Sequence, residues 1–232
     1  MNSKYRYLVP NGITFISLTC GIVSILLSTS NVLRWAGGLI LASYILDLFD
    51  GYAARKLNAG SEFGLQLDSL VDMVSLGAAP TAIVFAHMSN ENVNPYLLWP
   101  SVVFFSLAGA FRLARFNLLP PKATGNTDSA GLTISTGGAM LALAVLSDLV
   151  TPEQFFPDVT MVLVVVVTSL LMISTIPFPS FFWVFSNRRK NLLLISLFGI
   201  SIWLTPFFNA WFWWTNAYLG ISLARAGYRN WK

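Results

Sequence analysis

Residues 47–72, DLFDGYAARKLNAGSEFGLQLDSLVD, contain four aspartates and are flanked by apolar sequence on both sides. Asp47 and Asp50 are three positions apart, and Asp68 and Asp72 are four apart, so each pair lies on one face of a helix. The connector between the pairs contains asparagine and glycine, which favour a turn. The stretch therefore predicts two adjacent antiparallel helices whose four carboxylates converge on one point.

The composition of the whole chain indicates a membrane protein. Of the 232 residues, 55% are hydrophobic and only 10% are charged, whereas about a quarter of a soluble domain is charged. Apolar runs of bilayer-spanning length recur, and they are continuous rather than alternating, which favours helices over a β-barrel. We therefore expect an all-α fold, a polytopic transmembrane helical bundle that forms one integral-membrane domain over residues 1–232.

Eight membrane spans are expected from these runs. Pro206 separates the last two, so a single long kinked helix over residues 191–224 is the alternative there, and it would reverse the side of the C-terminus. The expected spans cover roughly residues 12–30, 33–55, 64–87, 96–116, 131–149, 159–176, 191–205 and 208–224.

The distribution of basic residues predicts the orientation in the cell membrane. With the N-terminus inside, thirteen of the fourteen lysines and arginines fall on cytoplasmic segments and only Arg34 falls outside, in agreement with the positive-inside rule. Both chain ends and the aspartates then lie at the cytoplasmic side. Basic loops beside anionic lipid, rather than nucleic acid, explain the net charge of +4.

Four converging carboxylates repel one another unless protons or cations neutralise them. Hard oxygen ligands suit Mg²⁺, Mn²⁺ or Ca²⁺, and four carboxylates carry enough charge for two such ions. Two metals bridged by carboxylates form a recurrent device for displacement at phosphorus. Cys20 and His87 lie outside the stretch, which disfavours zinc, and His87 is expected at the outer membrane boundary without a catalytic part.

Small residues accompany the acids. Gly51, Ala54 and Gly64 leave room for a bulky group against the helix backbones, although close helix packing also favours small residues in membrane helices. Packing alone does not account for the carboxylates, because ionisable groups within a membrane are costly and are functional candidates by default.

The spacing of these residues resembles a known signature. At every position it is similar to the signature of the CDP-alcohol phosphatidyltransferases, which here is Asp47-x2-Asp50-Gly51-x2-Ala54-Arg55-x8-Gly64-x3-Asp68-x3-Asp72. Four further segments resemble the phosphatidylserine synthase branch of that family: VPNGIT (9–14), AARKLNA (53–59), LDSLVDMVSLGAAP (67–80) and RLARFN (112–117). The resemblance covers roughly the first 120 residues and weakens after them.

The resemblance implies a fold and a reaction. The fold is a six-helix membrane core at about residues 8–180, dimeric, with a polar cavity open to the cytoplasm, and the spans at about 191–224 are additional. In the reaction, an acceptor hydroxyl attacks the lipid-linked phosphorus of CDP-diacylglycerol, or of an ether-lipid analogue, and CMP leaves. L-serine is the acceptor in this branch. The alternatives are glycerol 3-phosphate or inositol phosphate as the acceptor and, more distantly, a divalent-cation transporter.

The resemblance also implies roles for individual residues. Asp47, Asp50, Asp68 and Asp72 would bind two ions, Mg²⁺ or Mn²⁺, with Ca²⁺ as a non-productive occupant. Asp72, the last of the four, would also be the catalytic general base that takes the proton of the serine hydroxyl.

The nucleotide and the acceptor would be bound by residues around the acids. The cytidine site would be lined by Gly51, Ala54 and Gly64, and Arg55 would pair with phosphate unless it is only a positive-inside anchor. Candidates for binding the lipid phosphate or the serine carboxylate are Arg112 and Arg115, which share a helical face and could instead form a basic rim, and Asn117 and Asn11. Ser135 and Thr136 could face the cavity or bond their own backbone.

Overall fold

The computed structural model describes residues 7–57, 59–91, 93–118, 129–151, 157–178 and 188–230. These residues form helices and one short strand pair, so the all-α prediction is confirmed. The helices are α1 (Leu8–Thr29), α2 (Leu33–Lys56), α3 (Glu62–Asp72), a π-helical turn (Met73–Ala78), α4 (Ala79–Asn90), α5 (Pro95–Leu118), α6 (Ile134–Val150), α7 (Asp158–Ile173), α8 (Arg188–Leu204) and α9 (Phe207–Asn230). The antiparallel strands are β1 (Ser129–Ala130) and β2 (Pro177–Phe178).

Several helices have the length and apolar composition of membrane spans. Among the described residues, three qualify, namely Leu8–Thr29, Pro95–Leu118 and the continuous rod Glu62–Asn90 that α3, the π-helical turn and α4 form together. Two shorter apolar helices, Ile134–Val150 and Val159–Ile173, lie beside them. The protein is therefore an integral membrane protein of the helical bundle type, while the count of eight spans stays a prediction.

Pro206 separates two distinct helices, α8 and α9. The ring of Phe198 lies 5.9 Å from that of Trp214, centroid to centroid, and Trp214 Nε1 donates a hydrogen bond of 3.1 Å to Ser201 Oγ. In one continuous helix, residues 198 and 214 would be about 24 Å apart. The two helices therefore fold back on each other as a hairpin, and the alternative of a single kinked helix is wrong.

Helix α6 is the centre of the bundle, and α2, α4, α7 and α9 pack around it. Its residues from Gly137 to Ser147 are all buried. At Gly138 a side chain would overlap the backbone carbonyl of Leu76 in the π-helical turn. Because only glycine allows this approach, α6 lies directly against the rod that carries two of the aspartates.

Polar contacts join the ends of α2, α4 and α6 that lie away from the aspartates. Arg34 donates a hydrogen bond of 3.1 Å to the carbonyl of Leu149 in the last turn of α6, where a cation also suits the helix dipole. This contact gives a structural reason for the one basic residue outside the predicted cytoplasmic segments. His87 lies at the same end, buried in the protein with Nε2 2.7 Å from Asp148 Oδ2, and its place at the membrane boundary stays a prediction.

Candidate active site

The two acidic pairs lie on adjacent helices that are joined by a short turn. Ala59 N–H donates to the carbonyl of Ala54 over 2.9 Å, which closes the end of α2. Ser61 caps α3, because its Oγ accepts a hydrogen bond of 3.0 Å from Gly64 N–H. A serine N-cap satisfies one of the backbone donors that a helix start leaves open. The turn thus reverses the chain, as the sequence predicts, and the rod that begins with α3 packs against α2 through the π-helical turn and α4.

The structure brings the carboxylates of the two helices together. Asp47, Asp50 and Asp68 each place one ligand oxygen within 4.8 Å of the other two. Asp72 is almost fully buried, and its side chain interacts with that of Asp47. Carboxylate oxygens are the donors that hard divalent cations take in proteins, with waters or substrate oxygens completing the set. The described residues therefore fit a divalent metal.

Arg112 is the cation that α5 brings to the carboxylates. It is only 8% exposed, and its neighbours include Asp47, Asp68 and Asp72. Its guanidinium also lies over the ring of Phe116, 5.2 Å from the centroid. A buried guanidinium in this position offsets part of the negative charge and keeps a planar donor beside the acids.

Arg115, one turn later on the same helix, is held by backbone. Its guanidinium donates hydrogen bonds to four carbonyls: Ala130 at 2.7 Å, Ile173 at 2.8 Å, Ser174 at 2.9 Å and Met172 at 3.3 Å. The carbonyls at the end of α7 lack helical partners, so the arginine satisfies them. Arg112 and Arg115 therefore have different surroundings, although the sequence presents them as equivalent.

Gly131 completes this junction between α5, β1 and α7. Its φ of +78° is in the left-handed region, which glycine adopts without steric cost. A Cβ there would lie 2.6 Å from the Met172 carbonyl oxygen and 2.8 Å from Arg115 Nη2. The glycine thus gives the guanidinium access to the backbone.

The residues expected around the nucleotide lie at the cytoplasmic ends predicted for α2 and α3. A Cβ on Gly51 would meet only the Arg55 guanidinium, at 3.5 Å or more, so the α2 surface is open there. Ala54 is half-buried and Arg55 is exposed. Asn11 comes from α1, and its Oδ1 would lie 3.6 Å from a Cβ on Gly64. These residues border the carboxylates on one side.

Asn117 is engaged with α3. Its Nδ2 donates a hydrogen bond of 3.0 Å to Ser69 Oγ, and Ser69 lies next to Asp68 in sequence. Asn117 thus joins the end of α5 to the second acidic pair.

Two helices contribute contacts that the aspartate spacing did not reveal. Thr14 on α1 donates a hydrogen bond of 2.9 Å from Oγ1 to Asp50 Oδ2. Ser135, at the start of α6, interacts with Asp47 through its side chain. The sequence contains a signal for the Thr14 contact. Small and hydroxyl residues recur in α1 at intervals of three and four, at positions 14, 17, 21, 24 and 28, and so mark a face that packs against other helices.

In a helical membrane bundle, carboxylates from two helices that converge on a cation-sized site can hold the metal ions that assist displacement at phosphorus, as in enzymes that act on phosphate esters. The family model for CDP-alcohol phosphatidyltransferase matches residues 7–172, and the chain belongs to this family. The match includes all four aspartates and ends at the last turn of α7.

Curated relatives extend over most of the chain. A CDP-diacylglycerol–serine O-phosphatidyltransferase of Helicobacter pylori strain J99 is 34% identical over 206 residues, which are 86% of this chain and 83% of that protein. A protein of the same name from Methanocaldococcus jannaschii is 32% identical over 84% of this chain and 81% of its own. An archaetidylserine synthase of Methanothermobacter thermautotrophicus is 30% identical over 74% and 69%.

Proposed function

We propose that the protein transfers the phosphatidyl group of CDP-diacylglycerol to the hydroxyl of L-serine, giving phosphatidylserine and CMP. The serine oxygen forms a bond to the lipid-linked phosphorus, the bond from that phosphorus to the CMP oxygen breaks, and the serine proton passes to a base. The observation that carries the proposal is the convergence of Asp47, Asp50 and Asp68 within 4.8 Å, in a chain of this family. The relatives' names favour serine over the phosphorylated polyols.

The four carboxylates would hold two divalent ions, Mg²⁺ or Mn²⁺, with Ca²⁺ as a non-productive occupant. Such ions neutralise the charge of a pyrophosphate and of the leaving nucleotide when they are bound. Asp47, Asp50 and Asp68 would supply the ligands, and Asp72 would share the second ion. The oxygen-only donor set supports magnesium or manganese rather than zinc.

Asp72 is the proposed general base. Its carboxylate is buried and interacts with those of Asp47 and Asp68, which supports a role next to the metal ligands. Proton transfer needs a base within hydrogen-bond reach of the hydroxyl, so the proposal requires serine to bind with its hydroxyl next to Asp72.

The nucleotide would lie over the open surface of α2 and the start of α3. Gly51, Ala54 and Gly64 leave the helix backbones accessible to cytidine, and the exposed Arg55 guanidinium can pair with phosphate. Asn11, beside Gly64, can bond to the same nucleotide.

For the acceptor or the lipid phosphate, Arg112 is the strongest candidate, because its guanidinium is beside the acids. A planar fork of donors binds a carboxylate or a phosphate in bidentate fashion. Asn117 would act from the end of α5, where its hydrogen bond to Ser69 holds it beside the second acidic pair. Arg115 also stays a candidate for the acceptor, but its four backbone bonds favour a role in holding the junction.

The arrangement in the membrane is part of the proposal. The positions of the basic residues support eight spans with both termini and the active site at the cytoplasmic side of the cell membrane. One catalytic domain would include a family core at about residues 8–180 and the additional helices at about 191–224, and two copies would form a homodimer. An ether-lipid donor stays the alternative to the diacyl donor, since one relative is named an archaetidylserine synthase.

An acceptor assay tests the function. Protein purified in detergent receives CDP-diacylglycerol and Mg²⁺ or Mn²⁺, and CMP release is measured with L-serine, glycerol 3-phosphate or inositol phosphate. The Asp50→Asn protein is the control for contaminating activity. We expect CMP release that depends on serine. Release with a phosphorylated polyol but not with serine would contradict the acceptor, and no release together with metal flux in liposomes would contradict the reaction.

A further inference from the structure

Helix α1 presents one face of small polar residues to its neighbours. Thr14, Ser17, Ser24 and Ser28 are all buried, and Gly21 lies between them on the same face. Their intervals of three and four residues keep them in one line along the helix. This face allows close approach of other backbones, which small residues commonly permit in membrane bundles.

The face bonds to α2 along most of its length. Ser17 Oγ and Ser43 Oγ are 2.6 Å apart, and Ser24 Oγ donates to the carbonyl of Ala36 over 2.9 Å. Hydrogen bonds between hydroxyls and backbone across helices hold their relative position. The axial position of α2, and with it that of its two aspartates, is thereby tied to α1.

The same face also contacts the rod that carries the second acidic pair. Ser75 Oγ, three residues after Asp72, donates a hydrogen bond of 3.0 Å to the carbonyl of Ser17. A Cβ on Gly21 would lie 2.6 Å from Ser75 Cα, so the two backbones touch. Helix α1 is thus in contact with both acid-bearing elements.

Thr14 is the member of this face that reaches a carboxylate directly. Its Oγ1 is 2.9 Å from Asp50 Oδ2 and 3.0 Å from the carbonyl of Pro10. A hydroxyl has one proton to donate, and a bond to an ionised carboxylate is roughly twice as strong as one to a neutral acceptor. The bond fixes the rotation of the Asp50 carboxylate, while its oxygens keep further capacity to accept.

We infer that Thr14 is a positioning residue that orients Asp50 as a metal ligand. The inference rests on the proposed function, because it needs Asp50 to bind a divalent ion. Partners that orient a ligating carboxylate typically change metal affinity by about 10- to 100-fold when they are removed. Valine has the shape of threonine without the hydroxyl, so Thr14→Val removes the bond and leaves the packing.

The test measures metal binding without turnover. Protein in detergent, stripped of metal, is titrated with MnCl₂ alone, and the melting temperature is followed at each concentration. The parent is compared with Thr14→Val, Thr14→Ser and Thr19→Val. Thr19 is the matched control, because it lies on the exposed side of α1 and its one hydrogen bond within the described part of the chain goes to the Phe15 carbonyl of the same helix, over 2.9 Å. The Mn²⁺ dependence of CMP release is measured in parallel.

We expect Thr14→Val to need at least about tenfold more Mn²⁺ for the half-maximal shift, with Thr14→Ser and Thr19→Val close to the parent. The apparent KM for Mn²⁺ should rise in Thr14→Val while kcat at saturating Mn²⁺ changes much less. A Mn²⁺ midpoint for Thr14→Val within twofold of the parent's, or an equal change in Thr19→Val, would overturn the inference about Thr14 and leave the proposed function standing. A parent whose melting temperature does not respond to Mn²⁺ would overturn both the inference and the metal part of the proposed function.

Discussion

Replacing Arg115 with lysine separates a structural role from a substrate-binding role. The guanidinium makes four hydrogen bonds to carbonyls of β1 and the end of α7, between 2.7 and 3.3 Å. An ammonium group has three donors on one atom and cannot reproduce the spread of a planar fork. If lysine keeps two of the four bonds, each of the two lost bonds to a charged donor lowers the free energy of unfolding by at most about 1.5–3 kcal/mol. Because Arg115 is half-buried, water replaces part of each lost bond. We therefore expect Arg115→Lys to lower the free energy of unfolding by about 2–3 kcal/mol in total.

The assay is thermal unfolding in detergent, combined with serine-dependent CMP release. Arg34→Lys is the matched control, because Arg34 donates one described bond to a helix-terminal carbonyl and should cost no more than about 1 kcal/mol. We expect Arg115→Lys to melt several degrees below Arg34→Lys while its KM for serine stays near the parent value. An unchanged melting temperature with a raised KM for serine would refute the structural role and favour binding of the acceptor.

Three further predictions concern the acids and the packing. Asp72→Asn should abolish serine-dependent CMP release and leave the circular dichroism spectrum unchanged, since it removes the base and a ligand without changing shape; a near-parent rate would remove Asp72 from the mechanism. Gly138→Ala should lower the melting temperature because its methyl group overlaps the Leu76 carbonyl, whereas Gly220→Ala, with open space around it, should be neutral or slightly stabilising; equal melting temperatures would contradict this packing. His87→Ala removes a buried ring whose Nε2 is 2.7 Å from Asp148 Oδ2 and should lower the melting temperature, because a buried hydrogen bond and the packing of a buried side chain are lost; the KM for serine should not change, because His87 lies ~22 Å along the rod from Asp72.

The sequence predicted the parts of the structure that depend on local spacing. Intervals of three and four place each aspartate pair on one helical face, and the turn residues between them set the antiparallel arrangement. Long apolar runs predicted the helices, and α5 over Pro95–Leu118 differs from its expected span by one or two residues at each end. Helix α9 continues to Asn230, beyond the expected end, because a polar C-terminal turn carries no hydropathy signal.

Contacts between distant residues could not be predicted in this way. Thr14 and Asp50 are 36 residues apart, and Arg115 and Ile173 are 58 apart. Periodicity shows which residues share a face but not which helix that face meets. The two arginines of α5 therefore looked alike in the sequence, although one faces carboxylates and the other faces backbone carbonyls. The same limit hid the buried pairing of His87.

The most direct measurement of the central claim is CMP release before and after removal of divalent metal. Parent protein is assayed with CDP-diacylglycerol and serine, then in excess chelator, and then with Mg²⁺, Mn²⁺ or Ca²⁺ restored. If the converging carboxylates act through bound cations, activity disappears with chelator and returns with Mg²⁺ or Mn²⁺ but not with Ca²⁺. Full activity in metal-free buffer would contradict the account.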